Sequence, residues 1–218
     1  MGLLEKIDII SPHAFKLFAE CPAKFYYRYC EQISAVTLDK SFQTGKNIHS
    51  MASYFLKGQN IKKFESALSD KEKELWSGLK ENKYFSYEIV GVEKSISCRT
   101  GMFWIGGRLD ALVRNGNDYY ILDYKTGGVS DDMTYDYQTM VYLTACDMLL
   151  DDYNSLSFVY LDLKNKKEVV VDYTSDLRVE YTEKLQKAAE RIDNFNIETF
   201  GKCNFTNCEY LKICKPNL

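Results

Sequence analysis

Between Gly106 and Gly128 the sequence runs GGRLDALVRNGNDYYILDYKTGG, two apolar runs around a turn signal, both interrupted by charge. Asp110 lies in the first run, Asp123 and Lys125 in the second. The turn signal is Arg114-Asn115-Gly116-Asn117-Asp118, and a two-residue loop is the favoured closure. With Asn115-Gly116 as the loop, Asp110 stands opposite Ile121; with Gly116-Asn117, it stands opposite Asp123. Both registers set Asp110, Asp123 and Lys125 on one face with Leu112, Tyr119 and Ile121, because opposed residues share a face and side chains alternate. Leu109, Ala111, Val113, Leu122 and Tyr124 take the other face. A three-residue loop without a bulge would break this agreement. Two apolar faces imply cover on both sides, where paired carboxylates repel and lose hydration. A divalent cation compensates them, since Mg²⁺ and Mn²⁺ prefer carboxylate oxygens and water. The plain alternative is a wet Asp face with Asp123–Lys125 as a weak surface pair. The hairpin alone does not choose between them.

The elements around the hairpin follow from periodicity and caps. Ser11-Pro12 starts a helix that carries Phe15, Phe18, Phe25 and Tyr29 inward and runs to about Tyr29. A second helix is expected from Lys46 to Leu56. The charged stretch from Ile61 to Lys83 has a helical pattern with Phe64, Leu68, Leu75 and Leu79 as a thin apolar stripe. Strand patterns cover Tyr87 to Cys98, Phe103 to Val113 and Tyr119 to Lys125. Thr134 to Leu150 reads as a helix, with Gln138 and Tyr142 four apart on one face. Two more strands are expected at Leu156 to Leu163 and Glu168 to Tyr173, then a helix capped by Ser175 and ending near Phe195. Helices, three strands, helix, strand pair, helix: the order implies a mixed α/β sandwich.

Composition sets the bounds. A chain of 218 residues, 45% hydrophobic and 27% charged, is ordinary for one globular core. No run approaches the roughly 18 apolar residues of a membrane span. The start, MGLLEKIDIISPHAF, lacks the order of a secretory signal, so a cytoplasmic protein is expected. The net charge is −3, with 28 Lys+Arg against 31 Asp+Glu, and no segment is strongly basic. That argues against non-specific coating of duplexes and leaves room for a local positive groove. Seven cysteines in a chain without such a signal favour metal or cluster ligation over disulfides. Cys98 and Cys146 read as buried thiols that behave as small apolar groups.

Taken in order, SPHAFKLFAECPAKFYYRY, GKNIH (Gly45 to His49), GGRLDAL, ILDYKTG and QTMVY resemble the RecB-type branch of the PD-(D/E)XK nuclease superfamily. The resemblance spans nearly the whole chain. It implies an α/β fold with a restriction-endonuclease-like core, a mixed central sheet flanked by helices, whose N- and C-terminal segments are joined by a cysteine-ligated cluster. One domain over 1–218 follows, with a helical region to about 86, a nuclease core to about 195, and a cysteine segment that packs on the Cys21 region. It implies His49, Asp110, Asp123 and the carbonyl of Tyr124 as ligands of Mg²⁺ or Mn²⁺. Lys125 would hold the attacking water or the charge developing on phosphate, and Gln138 and Tyr142 would position the water, the lysine or the strand.

The chain finishes FGKCNFTNCEYLKICKPNL. Relatives in the same branch, among them the AddB nuclease domain and CRISPR-associated RecB-like nucleases, hold a [4Fe–4S] cluster with one cysteine from a CP motif and three near the C-terminus. The resemblance implies Cys21, Cys203, Cys208 and Cys214 as those ligands, joining the two ends. Four residues, Asn204 to Asn207, separate the first C-terminal pair where the family commonly has two, which leaves Cys30 as a substitute for Cys203. A Cys₄ zinc site or free thiols are the alternatives.

The function implied is metal-dependent cleavage of DNA phosphodiesters, single strands preferred, including exonuclease action from 5′ ends. A CRISPR integrase complex or a helicase would be the partner; no membrane partner is expected. The rivals are a DNA-end-binding module without turnover and a zinc-stabilised assembly scaffold. The charged stretch from 61 to 83, with Lys62, Lys63, Lys71, Lys73, Lys80 and Lys83, is either a wall of the substrate path or a solvated face engaged locally. Tyr26, Tyr27 and Arg28 are further candidates for DNA contact.

Overall fold

A computed structural model describes residues 4, 7–33, 41–201 and 208–214. The first helix, α1 (Pro12–Glu20), is capped by the Ser11 hydroxyl, which accepts from the Ala14 N–H. It stops short of the expected Tyr29. Cys21 is extended (φ −160°, ψ 107°) because the residue before a proline is pushed out of the helical region. The chain restarts as α2 (Pro22–Phe25) and continues as a π-helical turn over Tyr26–Cys30. Phe15, Phe18 and Phe25 are buried as expected.

Helix α3 (Ser41–Leu56) begins before the expected Lys46. The charged stretch is two helices, α4 (Lys62–Ala67) and α5 (Asp70–Lys80). Ser69 and Glu72 form a capping box that restarts the chain. Of the expected stripe, Leu68 and Leu79 are buried, but Phe64 is 51% exposed.

Five strands follow: β1 (Glu88–Thr100), β2 (Phe103–Asn115), β3 (Asp118–Lys125), β4 (Ser155–Asp162) and β5 (Lys167–Asp172). They form one sheet in the order β1-β2-β3-β4-β5. All neighbours are antiparallel except β3 and β4, which α6 (Tyr137–Leu149) connects as a crossover. The Asp136 carboxylate caps α6 by accepting from Gln138 N–H. The last long helix, α7 (Ser175–Asp193), is capped by Thr174, one residue before the expected cap.

Two cores sandwich the sheet. Phe15 of α1, Val141 of α6 and Tyr181 of α7 pack with Leu112, Ile121 and Phe158 on one side. On the other, Ile48 and Ala52 of α3 and Trp76 of α5 pack with Ala111, Val113, Leu122 and Val159. The β4 sequence SLSFVYLD is apolar on both faces because it lies between these layers. Each fully buried large apolar side chain there contributes about 1.5–3 kcal/mol.

A third, smaller cluster joins the chain ends. Cys21, Ala23 and Tyr27 pack with Ile197, Tyr210 and Cys214, with Cys208 alongside. The Tyr27 hydroxyl donates to the Ile213 carbonyl at 3.0 Å, and the Tyr210 hydroxyl to the Ile33 carbonyl at 2.9 Å. Lys24 pairs with Glu209 at 3.3 Å. Cys21 and Cys214 are buried and Cys208 is half-buried, and Cys203 lies outside the described residues. Cys30, the alternative to Cys203, is buried in the α1–α6–α7 core instead of this cluster. Cys98 and Cys146 are buried, which pushes their thiols up to about 11 and about 12. No described helix is long and apolar enough to cross a membrane.

Candidate active site

The β2–β3 register runs from Asn115 opposite Asp118 to Ala111 opposite Leu122, so Gly116-Asn117 is the two-residue loop. Gly116, at φ +62°, supplies the left-handed conformation that closes it. The ladder stops at Ala111. Beyond it the Tyr124 N–H donates not to the β2 backbone but to Oδ2 of Asp110, at 3.2 Å. The strands part there, and Asp110 fills the gap.

One feature of the alternation fails. Leu109 packs in the α1–α6–α7 core with Leu112, whereas Ala111 packs on the α3 side. The break lies opposite Glu93, a strand residue at φ +54° that sits between the pairs Val92–Ala111 and Lys94–Leu109. The consequence is that the three charges do not share one face. Asp110 meets His49 of α3, while Asp123 and Lys125 meet Gln138 of α6 on the other side.

The groups remain neighbours through Tyr124. His49 Nε2 donates to the Tyr124 carbonyl at 2.7 Å, and His49 Nδ1 lies 3.1 Å from Oδ1 of Asp110. Both partners only accept, so these contacts call for a protonated ring. Burial opposes that charge, but Asp110, then Asp123 and the Tyr124 carbonyl, outweigh it and raise the His49 pKa. On the α6 side, Lys125 Nζ lies 2.8 Å from Oδ2 of Asp123 and donates to Gln138 Oε1 at 3.1 Å. Gln138 Nε2 donates to Oδ1 of Asp123. Gln138 thus fixes both the acid and the amine. Tyr142 reaches neither; its hydroxyl donates to the Arg108 carbonyl at 3.0 Å, and its ring stacks on Phe158. Burial and the charges of Asp123 and Asp110 push the Tyr142 phenol up to about 12.

Asp123 is 4% exposed. Burial pushes its carboxyl up, Lys125 pulls it down, and repulsion from Asp110 pushes it up again; the net direction is up. Its Oδ2 has the Lys125 charge nearby but no aligned hydrogen bond. At 2.8 Å the attraction between this oxygen and the Lys125 ammonium acts whatever the alignment. Among the described residues no three His, Cys, Asp or Glu side chains form a ready metal cage, since Asp123 turns toward Lys125 and Gln138. The donor set nevertheless fits a hard divalent cation: two repelling carboxylates, a buried carboxylate oxygen without a hydrogen bond, a carbonyl and a histidine. Ligation by His49 requires the ring to give up a proton.

His49 and Asp110 open onto a cleft of about 990 Å³. Lys46 of α3, Lys57 in the turn that follows it and Lys71 of α5 line it, and none pairs with a carboxylate among the described residues. Arg108 and Glu93 line it as an ion pair at 2.8 Å. In the charged stretch only Lys71 reaches the cleft, whereas Lys73 and Lys80 pair within the stretch, with Asp70 and Glu65, and Lys83 pairs with Glu168 of β5. Tyr27 is buried in the terminal cluster and Tyr26 donates to Glu31, so these two rings serve the fold. Sequence reasoning missed Lys46, Lys57, Arg108 and Glu93. Arg108 had a signal, two residues before Asp110 in GGRLDAL; Glu93 had none, because nothing in its residue type announces a left-handed backbone.

The sequence profile of the PD-(D/E)XK nuclease superfamily matches residues 9–87 and 72–215. The chain belongs to that superfamily. Its α/β core, a mixed sheet with flanking helices, is the arrangement the resemblance implied. No curated protein matches the sequence. Among solved structures, a candidate exonuclease from Eubacterium rectale is similar, with a TM-score of 0.57 and 10% identity over 85% of this chain and 80% of that one. The protein SSO0001 is similar with a TM-score of 0.52 and 20% identity, over 97% of this chain and 88% of that one. At such identities these likenesses concern the fold.

Proposed function

We propose that this superfamily member is a deoxyribonuclease using Mg²⁺ or Mn²⁺, which hydrolyses single-stranded DNA from its ends, 5′ ends included. One observation carries the reading: where β2 and β3 part, His49 and Asp110 face a cleft whose lysines have no acidic partner among the described residues, with Asp123 and Lys125 on either side of Tyr124 in the adjoining strand. A cation held by His49, Asp110, Asp123 and the Tyr124 carbonyl would polarise the phosphodiester and acidify a bound water. Lys125 offers a fixed positive charge to the phosphate oxygens as they become more negative. Gln138 holds Lys125 and Asp123 in fixed relation, and Tyr142 ties α6 to β2 at Arg108. Lys46, Lys57 and Lys71 hold the phosphate backbone of the strand.

The RecB-type branch, and with it a role in CRISPR adaptation or in recombination and repair beside an integrase complex or a helicase, rests on the sequence blocks. The same resemblance supports a [4Fe–4S] cluster on Cys21, Cys203, Cys208 and Cys214. Packing of three of these cysteines in one terminal cluster agrees with it.

Anaerobic assays with oligonucleotides labelled at either end test the activity and its polarity. Wild-type protein with Mg²⁺ or Mn²⁺ degrades single strands. Asp123→Ala, Asp123→Asn and Lys125→Ala each lose at least about 1000-fold in rate, with an unchanged circular dichroism spectrum. Undiminished cleavage in these variants overturns the assignment. Tight end binding without turnover by the wild type replaces it with the binding-module reading.

A further inference from the structure

Two aromatic rings lie exposed where the end of α3 meets α4. Tyr54 is 37% exposed and lines the cleft that holds His49 and Asp110. Phe64, on α4, is 51% exposed and stacks on Tyr54 with centroids 5.3 Å apart and planes 25° from parallel. The backbone sets this meeting deliberately. Gly58, at φ +69°, ends α3 and reverses the chain; the Gly58 N–H donates to the Phe55 carbonyl at 2.9 Å and the Gln59 N–H to the Tyr54 carbonyl at 3.0 Å. Ile61, buried, then anchors the start of α4, and Phe64 lands on the outer turn of α3.

Packing alone does not explain the pair. Both rings keep large open areas, although the neighbouring Phe55 of the same helix is packed against Trp76 and Phe85. Along the cleft Lys46, Lys57 and Lys71 present ammonium groups without acidic partners among the described residues. Flat π faces beside unpaired cations are the two components that sequence-tolerant single-strand binding needs, because every base stacks and every nucleotide carries a phosphate. A duplex hides its base faces and cannot use the rings.

We propose that Tyr54, backed by Phe64, is a base-stacking platform that receives an unpaired base of the DNA strand while Lys57 and Lys46 hold its phosphates. This deepens the nuclease reading by assigning its single-strand preference to named residues, and it rests on that reading for the direction of the strand toward Asp110. The occupant is a single-stranded DNA segment.

Binding without turnover separates the two claims. Full-length protein in EDTA is titrated against fluorescein-labelled oligo(dT), an abasic strand of the same length, blunt duplex and oligo(rU), with anisotropy as the readout. Tyr54→Ala and Tyr54→Leu raise the Kd for oligo(dT) about tenfold, within the range of one base–aromatic stack. Tyr54→Phe stays within about twofold of wild type, since the π face remains. The abasic strand and the duplex bind wild type and variants alike. Tyr54→Leu keeps the bulk that α4 packs on, so a loss shared by both substitutions, with unchanged melting temperature for Leu, is not a folding effect. Unchanged oligo(dT) affinity in the Leu variant, or equal loss on the abasic strand, overturns the platform. Tighter binding of oligo(rU) than oligo(dT) overturns DNA as its occupant. A stacking signature in a protein that never cleaves sinks the nuclease reading and leaves the platform standing; cleavage indifferent to these variants does the reverse.

Discussion

In the β2–β3 hairpin the contacting groups are close along the chain, with Asp110 and Tyr124 only 14 positions apart. At the joined ends, Tyr27 and Ile213 meet across 186 positions. The hairpin is a two-residue loop and a ladder, so one register decides where every side chain lies. The terminal cluster has no ladder. Among the described residues its contacts include two hydroxyl–carbonyl bonds, an ion pair at 3.3 Å and the packing of Tyr27 on Tyr210. The proposed catalytic groups therefore sit on and beside a hydrogen-bonded ladder, while the ends depend on loop closure that must be offset by local bonding. A metal cluster on the cysteines would supply that bonding, which gives it a structural purpose distinct from cleavage.

The largest expected effect breaks the stiff side. A Cβ at Gly106 would run into the Ile96 carbonyl and lie 2.7 Å from the Cα of Ser97, both backbone atoms of the paired strand. Neither can step aside without opening β1 from β2. Gly106 also donates its N–H to the Ile10 carbonyl at 3.2 Å, so the strain reaches the start of α1. Gly106→Ala should cost about 3 kcal/mol or more in urea denaturation, at the upper end of overpacking penalties. A Cβ at Gly107 meets only a side chain, that of Tyr142, with the hydroxyl at 2.7 Å and the ring Cε1 at 3.1 Å. Gly107→Ala should cost about 1–2 kcal/mol and lower cleavage by displacing α6. Equal losses in the two variants would mean that the β1–β2 frame yields as easily as a side chain.

The hairpin was legible because period-two alternation and turn chemistry are local. The sequence narrowed the loop to two choices, and the structure takes Gly116-Asn117. The element order was readable for the same reason, since caps such as Ser11 and apolar periods act over a few residues. What escaped was non-local. The left-handed residue opposite Asp110, Glu93, belongs to β1, so alternation within β2 could not reveal that Leu109 and Asp110 turn the other way. The exposure of Phe64 depends on a chain reversal at Gly58 that an apolar stripe does not encode. Likewise Lys46 and Lys71 come from different helices, and only the folded chain brings them to one cleft.

A smaller effect sharpens the comparison from the side of the ends. Tyr210→Phe removes the bond to the Ile33 carbonyl and should cost about 1 kcal/mol, or about 2–4 °C of melting temperature for a chain of this size. If a cluster ties the ends, anaerobically purified protein is brown and Cys214→Ser is both paler and less stable than Tyr210→Phe. Colourless protein with stoichiometric zinc, or a Cys214→Ser variant as stable as wild type, removes the cluster and leaves the packing of Tyr27, Tyr210 and Ile197 as the whole joint.

The smallest effect tests why Glu93 is tolerated. A non-glycine strand residue at φ +54° stores roughly 1–3 kcal/mol. Its exposed ion pair with Arg108, at 2.8 Å, returns at most about 1 kcal/mol. Glu93→Gly relieves the strain but adds about 0.5–1 kcal/mol of chain entropy to the unfolded state. The balance favours the variant by roughly 0.5–1 kcal/mol, seen as a raised urea midpoint at unchanged slope. Glu93→Ala keeps the Cβ and the strain while losing the same charge, so it should gain nothing. Both variants free Arg108 in the cleft, and cleavage should change by the same few-fold factor in each. A gain in stability shared by Ala would trace the cost to the carboxylate; a gain confined to Gly traces it to the backbone that turns Asp110 toward His49.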